Sequence, residues 1–251
     1  MIILLPPSEG KTPAAFGPLL DLDALSLPEL AAARAEVLDS LTEVSAGEDA
    51  LERLGLGASL AADVARNTRL TEIPCAPAIE TYTGVLYGAL GRLTPTARRR
   101  LDRVRVSSAL FGIVGALDPI PAYRLSMKTR LDGHGVLSTW WRPRLAPVLD
   151  AEFAGELILD CRSAEYRKSW PGPSGSTVVV DVHTEKDGVR TVVSHNAKHT
   201  RGELVGHLLR SRAELPTDFR GLVRAAKRRY DVEFAPPHRG RPAVLDVILP
   251  G

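Results

Sequence analysis

Apolar and polar positions change period several times along the chain, and each change marks an element. Residues 1–5 form a continuous apolar run closed by Pro6-Pro7, which predicts a short buried strand, with residues 6–18 a proline- and glycine-punctuated loop hanging from its end. Residues 27–44 place Pro28 at a helix start and then carry alanine and leucine at helical spacing with acids outward. Shorter helices are expected over 47–54 and 58–67. Thr94-Pro95 is a cap followed by proline and opens another helix, and residues 104–114 turn β-branched and apolar, which predicts one core strand.

The second half reads similarly. Residues 138–149 are a helix despite Pro143, which should sit in its early turns or break it. Residues 156–160 are a strand. Residues 176–185 and 189–194 are β-rich runs joined through Asp187-Gly188, a hairpin signal that requires antiparallel pairing in the sheet. Helices over 197–212 and 217–230 and a last strand over 243–249 complete the chain. The expected fold class is α/β, a single mixed β-sheet domain over 1–251 surrounded by helices. Residues 19–80 form an N-terminal helical lobe containing a candidate helix-hairpin-helix at Gly55-Leu56-Gly57.

Composition narrows the function classes. No segment approaches the roughly 20 apolar residues needed to span a bilayer, and the opening run lacks the basic flank and small-residue cleavage pattern of a signal peptide. No membrane role and a cytoplasmic location follow as expectations. Cys75 and Cys161 make neither a disulfide framework nor a zinc knuckle, as expected of a chain kept in a reducing compartment. The formal net charge of +2 hides an asymmetry. Residues 19–80 hold twelve acidic against four basic side chains, so the rest is strongly basic, notably at Arg98, Arg99, Arg100, Arg103 and Arg105 and at Arg220, Arg224, Lys227, Arg228 and Arg229. Such clusters suit a polyanionic partner, or a solvated face balancing the acidic lobe.

Several familiar motifs fail on spacing. Gly10-Lys11-Thr12 follows a strand, but the first glycine of a P-loop would fall at Leu5 and no helix follows. His195 and His199 have the spacing of a helical zinc pair, but Asn196 stands where a zincin needs glutamate. Gly172-Pro173-Ser174-Gly175-Ser176 is not a nucleophile elbow. The Gly55–Gly57 hairpin could offer backbone N–H groups to a phosphate, yet its flanks are acidic and a glycine helix cap explains it equally. No carboxylate, histidine or cysteine cluster offers a metal site, so no cofactor is expected.

Three polar clusters carry more information: Tyr123-Arg124-Leu125-Ser126-Met127-Lys128 after a turn, Asp160-Cys161-Arg162-Ser163-Ala164-Glu165-Tyr166 after a strand, and Ala197-Lys198-His199-Thr200-Arg201-Gly202 at a helix start. If these ends converge, Arg124, Lys198 and Arg201 focus positive potential in one cleft, where arginine offers bidentate contacts to phosphate and lysine a point charge. The candidate phosphate- or nucleic-acid-binding residues are Lys11, Tyr82, Tyr87, Arg124, Lys128, Ser163, Tyr166, Lys198 and Arg201. Structural salt bridges and caps are the competing account.

These segments resemble the YaaA family of bacterial peroxide stress resistance proteins. The resemblance runs through Ser8-Glu9-Gly10-Lys11-Thr12, Tyr82-Thr83-Gly84 with Tyr87-Gly88, Leu110-Phe111-Gly112, Pro121-Ala122-Tyr123-Arg124-Leu125, Ser163 with Glu165-Tyr166, and Ala197-Lys198 with Arg201-Gly202. It implies a cytoplasmic protein induced by oxidative stress that limits free iron and binds DNA, with a helix-hairpin-helix element and a positively charged cleft. The first functional expectation is therefore a stress protein that binds DNA independently of sequence. The alternative is an enzyme acting on a phosphorylated or nucleotide-like small molecule in the same cleft, with Glu165 and Lys198 as its catalytic residues.

Overall fold

The computed structural model describes residues 1–186, 189–192 and 194–251. An eight-stranded mixed sheet runs through the molecule. From one edge its order is Asp231–Ala235, Ala243–Pro250, Thr177–Lys186, Ile158–Asp160, Ile2–Leu5, Val104–Ser108 and Gly112–Gly115, with Val189–Val192 also paired to Thr177–Lys186. The five strands between the two edges are parallel to one another. Every residue of Ile2–Leu5 and of Ile158–Asp160 is buried, as expected for parallel strands covered on both faces, and this is why Ile2–Leu5 reads as an unbroken apolar run.

Antiparallel partners finish the sheet. Thr177–Lys186 and Val189–Val192 pair with Val189 opposite Lys186, as the sequence requires, while the Asp187-Gly188 pair read as their turn lies outside the described residues. Residues 104–114 are not one strand. Val104–Ser108 turns back on itself into Gly112–Gly115, with Ser108 opposite Gly112. Gly112 adopts φ +70°, and a Cβ there would lie 2.8 Å from the Trp141 ring, so glycine answers both the left-handed backbone and the close approach. Hydropathy cannot register this turn because its residues, Ala109, Leu110 and Phe111, are themselves fully buried.

Leu137–Glu152 stays helical through both Pro143 and Pro147. The two prolines are four residues apart and both exposed, so the lost hydrogen bonds lie on the solvent side, where water meets the unpaired carbonyls and gentle curvature is tolerated. The long N-terminal helix begins as a 3-10 turn, Pro28–Leu30, and continues as Ala31–Ala46, burying Val37, Leu38, Leu41 and Val44. Its Arg34 is wholly buried and donates to the carbonyls of Ser26, Phe111 and Ile113 at 2.7 to 3.2 Å. That one side chain fastens the acidic helical segment to the terminal hairpin of the sheet.

Within that segment Ala50–Leu54 ends at Gly55 with φ +66°, and the N–H groups of Gly55 and Leu56 donate to Glu52 and Leu51. This is a helix cap of the Schellman type and accounts for Gly55 without a ligand. Among the described residues no helix is long and apolar enough to cross a membrane.

Candidate functional site

Loops that leave the C-terminal ends of Ile2–Leu5 and Ile158–Asp160 open side by side, since these strands are parallel neighbours with Leu4 opposite Asp160. Ligand sites of open α/β sheets gather at such carboxyl ends. Here Pro6 to Glu9, Thr83 to Tyr87, Ser126, Lys128, Cys161, Ser163, Glu165, Tyr166, Lys198 and Arg201 enclose a cavity of about 450 Å³.

Close backbone contacts shape it. Gly84 has φ +109°, and a Cβ on it would meet Ser8 Oγ at 2.7 Å, so two loops of the wall touch where only glycine fits. The helix Ser194–Arg210 lies against Val85–Ala89 so tightly that a Cβ on Gly202 would sit 2.2 Å from the Leu86 carbonyl oxygen. This contact sets the distance between Tyr87 and the Lys198 and Arg201 side of the cavity. Tyr87 is further fixed by donating to the Pro6 carbonyl at 2.8 Å.

Beneath the floor, Arg162 and Asp160 form a fully buried pair. Arg162 Nε and NH2 donate to the two carboxylate oxygens at 2.9 and 2.7 Å, and NH2 also donates to the Trp170 carbonyl at 2.7 Å. Asp160 accepts the Arg162 backbone N–H as well, at 2.9 Å. The pair thereby pins the turn that delivers Cys161, Ser163 and Glu165 to the wall.

Seven of the residues singled out from sequence meet at this cavity: Tyr87, Lys128, Ser163, Glu165, Tyr166, Lys198 and Arg201. Arg201 is partly engaged, donating from Nε to the Val180 carbonyl at 2.9 Å and facing Asp181 at 3.4 Å. Glu165 accepts from Lys168 at 2.7 Å. Burial pushes the Tyr87 and Tyr166 hydroxyls well above the ordinary tyrosine range, so both are neutral donors at physiological pH. Burial likewise pushes the Cys161 thiol up to about 12, against the opposing pull of Arg201. A thiol that protonated is a poor peroxide target.

Lys11, Tyr82 and Arg124 lie outside the cavity lining but touch its wall. Arg124 donates to the Glu9 carbonyl and carboxylate at 3.0 and 3.1 Å, and Glu9 lines the cavity. Tyr82 stacks on Tyr87 at 5.5 Å and shares a buried hydroxyl chain with Tyr123 at 3.0 Å and, through it, Ser108 at 2.8 Å. Lys11 pairs with Tyr82 through a backbone bridge and donates from Nζ to the Ser8 carbonyl at 3.0 Å. Its ammonium sits 4.1 Å from the Tyr123 ring centre and 5.2 Å from that of Tyr82. Burial, followed by repulsion from Arg124, lowers its pKa to about 7.

Sequence reasoning did not single out Ser8, Glu9, Thr83, Ser126 or Cys161 as site residues. Each sits within or beside a segment already quoted. The missing signal was that residues 6–9 and 83–87 pack against one another in the cavity wall. A second hollow of about 530 Å³, between Gly91, Glu203, His207, Arg210 and Arg229, holds charges that are already satisfied. There Glu203 accepts from Arg229 at 2.9 Å and from the Tyr230 hydroxyl at 2.7 Å. No group of three or more metal-ligating side chains is present among the described residues.

The fold and cavity define an α/β protein with a cation-bearing hollow at the carboxyl edge of its parallel strands. The family model described as peroxide stress protein YaaA matches residues 1–233, and the chain belongs to that family. Similar curated proteins are UPF0246 proteins. That of Streptomyces coelicolor is 43% identical, covering 99% of this chain and 98% of its own length. That of Corynebacterium efficiens is also 43% identical, covering 86% and 88%. A more distant relative from Methylibium petroleiphilum is 29% identical over 88% and 90%.

Proposed function

We propose that this peroxide stress family member binds DNA independently of sequence, with backbone phosphates held at the mouth of the cavity by Lys128, Lys198 and Arg201. The observation that carries the reading is the meeting of these three cations, drawn from separate segments, at one hollow. Lysine and arginine around a concave polar site attract phosphate by charge and, for arginine, by paired hydrogen bonds. The lobe over residues 19–80 belongs to the same single domain in this reading, and its acidic surface keeps the nucleic acid on the cavity side. Localisation in the cytoplasm, where DNA is at hand, accompanies it.

Binding to short duplex and single-stranded DNA across a salt series tests this. Each phosphate contact contributes about −0.9 to the log–log slope on duplex, and Lys198→Ala and Lys128→Ala should each make the slope shallower by about one contact. A slope of zero, or variants with an unchanged slope, overturns the reading.

One observation favours a second reading. About 450 Å³ lies in the size range of small-molecule sites and admits no duplex. An enzyme acting on a phosphorylated or nucleotide-like small molecule would use Glu165 as acid or base and Lys198 on the anion. Saturable binding of a mononucleotide that Glu165→Gln leaves intact while turnover is lost would select this reading.

A further inference from the structure

Lys11 differs in kind from the cations of the cavity. Its Nζ makes one hydrogen bond, to the Ser8 carbonyl, and otherwise faces two tyrosine rings. No ion pair to it occurs among the described residues; the carboxylates that influence it, Asp63 and Glu9, act at longer range, and Glu9 is taken by Arg124. Arginine 124 adds a like charge nearby. Desolvation together with a neighbouring cation is the arrangement that turns a lysine from a charge into an amine nucleophile. The residue as a whole is half-buried, and its ammonium end is the covered part. Its one hydrogen-bond partner, Ser8, is a wall residue of the cavity that holds Lys128, Lys198 and Arg201.

We propose that Lys11 is a reactive amine that captures an aldehyde carried close to a phosphate group, as in an aldehydic sugar phosphate. The inference deepens the phosphate-binding reading of the cavity and rests on it for the choice of ligand. In the reaction the Nζ lone pair attacks the carbonyl carbon to give a carbinolamine. The two amine hydrogens and the carbonyl oxygen then leave as water, and a C=N bond joins ligand and lysine. No oxidant or reductant is consumed. The ligand has two sources with this one chemistry: a free sugar phosphate, or the ring-opened deoxyribose of an abasic site in DNA. At neutral pH a side chain titrating near 7 is about half free amine, against roughly one part in 10³ for an ordinary lysine. Lower basicity takes back part of that gain.

The chain contains six lysines, so labelling can be read site by site. The intact protein is treated with pyridoxal 5′-phosphate at pH 7, reduced with borohydride, digested and mapped by mass spectrometry. Lys11 should be modified at least about tenfold faster than Lys168, Lys186 and Lys227, and inorganic phosphate should slow it. Because Asp63, Glu9, Arg124, Tyr82 and Tyr123 surround the amine, the rate at Lys11 should level off above neutral pH while the surface lysines continue to accelerate. Borohydride trapping with 2-deoxyribose 5-phosphate and with an abasic-site oligonucleotide then separates the sources, and a reduced adduct on Lys11 from either supports the proposal. Labelling of Lys11 no faster than the surface lysines, or no adduct with either sugar, overturns it. The mapping needs no folded variant. Lys11→Arg, which keeps the cation over the tyrosine rings, should abolish adduct formation. Loss of labelling with DNA binding intact rejects the amine alone, whereas labelling without DNA binding rejects the DNA reading alone.

Discussion

Two basic side chains beside the cavity, Arg162 and Lys11, meet opposite environments. Arg162 is wholly buried yet matched, its guanidinium donating to both carboxylate oxygens of Asp160 and to the Trp170 carbonyl. Lys11 has one carbonyl, two aromatic faces and a neighbouring arginine. A buried charge with a matched partner holds structure in place; one without such a partner sheds its proton and becomes available for chemistry. The difference separates the support of the site from its reactive group, although both lie within a few residues of the same wall.

The largest effect should come from breaking the matched pair. Asp160→Asn leaves the Arg162 charge buried with only neutral acceptors and should cost about 3–5 kcal/mol of stability, measured by urea denaturation. Replacing both, as Asp160→Leu with Arg162→Leu, should recover a good part of that loss, because no charge then remains unpaired. A double variant less stable than Asp160→Asn alone would mean that the pair acts through something other than its charges.

Lys11 should show itself through pH. Its folded pKa of about 7 lies below the ordinary lysine value near 10.5. Between those limits the unfolded chain binds more protons than the folded one, so stability from this group rises with pH from about 7 to about 10.5. Below pH 7 both states are protonated and the cost of burying the ammonium is present in full. Lys11→Met should remove that rise, flattening the difference in unfolding free energy between pH 7 and pH 10 by roughly 1–3 kcal/mol. Equal pH slopes in the two proteins would place the Lys11 amine in an ordinary solvated setting.

Much of the scaffold was legible because its signals are local. The apolar runs at residues 1–5 and 156–160, the helix opened by Pro28 and the antiparallel pair around residue 187 announce themselves in composition and period. Three features escaped for separate physical reasons. The turn before Gly112 is made of buried residues and so looks like strand. Asp231–Ala235, which follows the helix expected over 217–230 and has no element assigned from sequence, pairs antiparallel with Ala243–Pro250 at the sheet edge. Asp231, Val232, Glu233 and Phe234 do alternate polar and apolar, with Val232 buried between exposed neighbours, but five residues make a short signal and the strand is completed by its long-range partner. Pro143 suggested an interruption that solvent on the proline face makes unnecessary. At the site, charge alone identified Lys128, Lys198 and Arg201, which line one hollow, and grouped Lys11 with them as another phosphate contact. What distinguishes Lys11, the rings of Tyr82 and Tyr123 beneath its Nζ, comes from residues 71 and 112 positions away in the chain, and no local pattern encodes it.

The smallest effect sharpens the contrast most. The Tyr123 hydroxyl bonds Ser108 at 2.8 Å and Tyr82 at 3.0 Å, while its ring face lies under Lys11. Tyr123→Phe removes the hydroxyl and keeps the face. It should cost about 1 kcal/mol for the lost hydrogen bonds and leave the pH slope due to Lys11 in place. Tyr123→Leu removes the face too, withdrawing a cation–π contact of about 1 kcal/mol that favours the protonated amine. Its stability should therefore begin to rise at lower pH than that of Tyr123→Phe, with the added rise falling between about pH 6 and 7 in paired urea titrations. If the Phe variant alone changes the slope, the hydroxyl chain and not the ring governs the proton on Lys11.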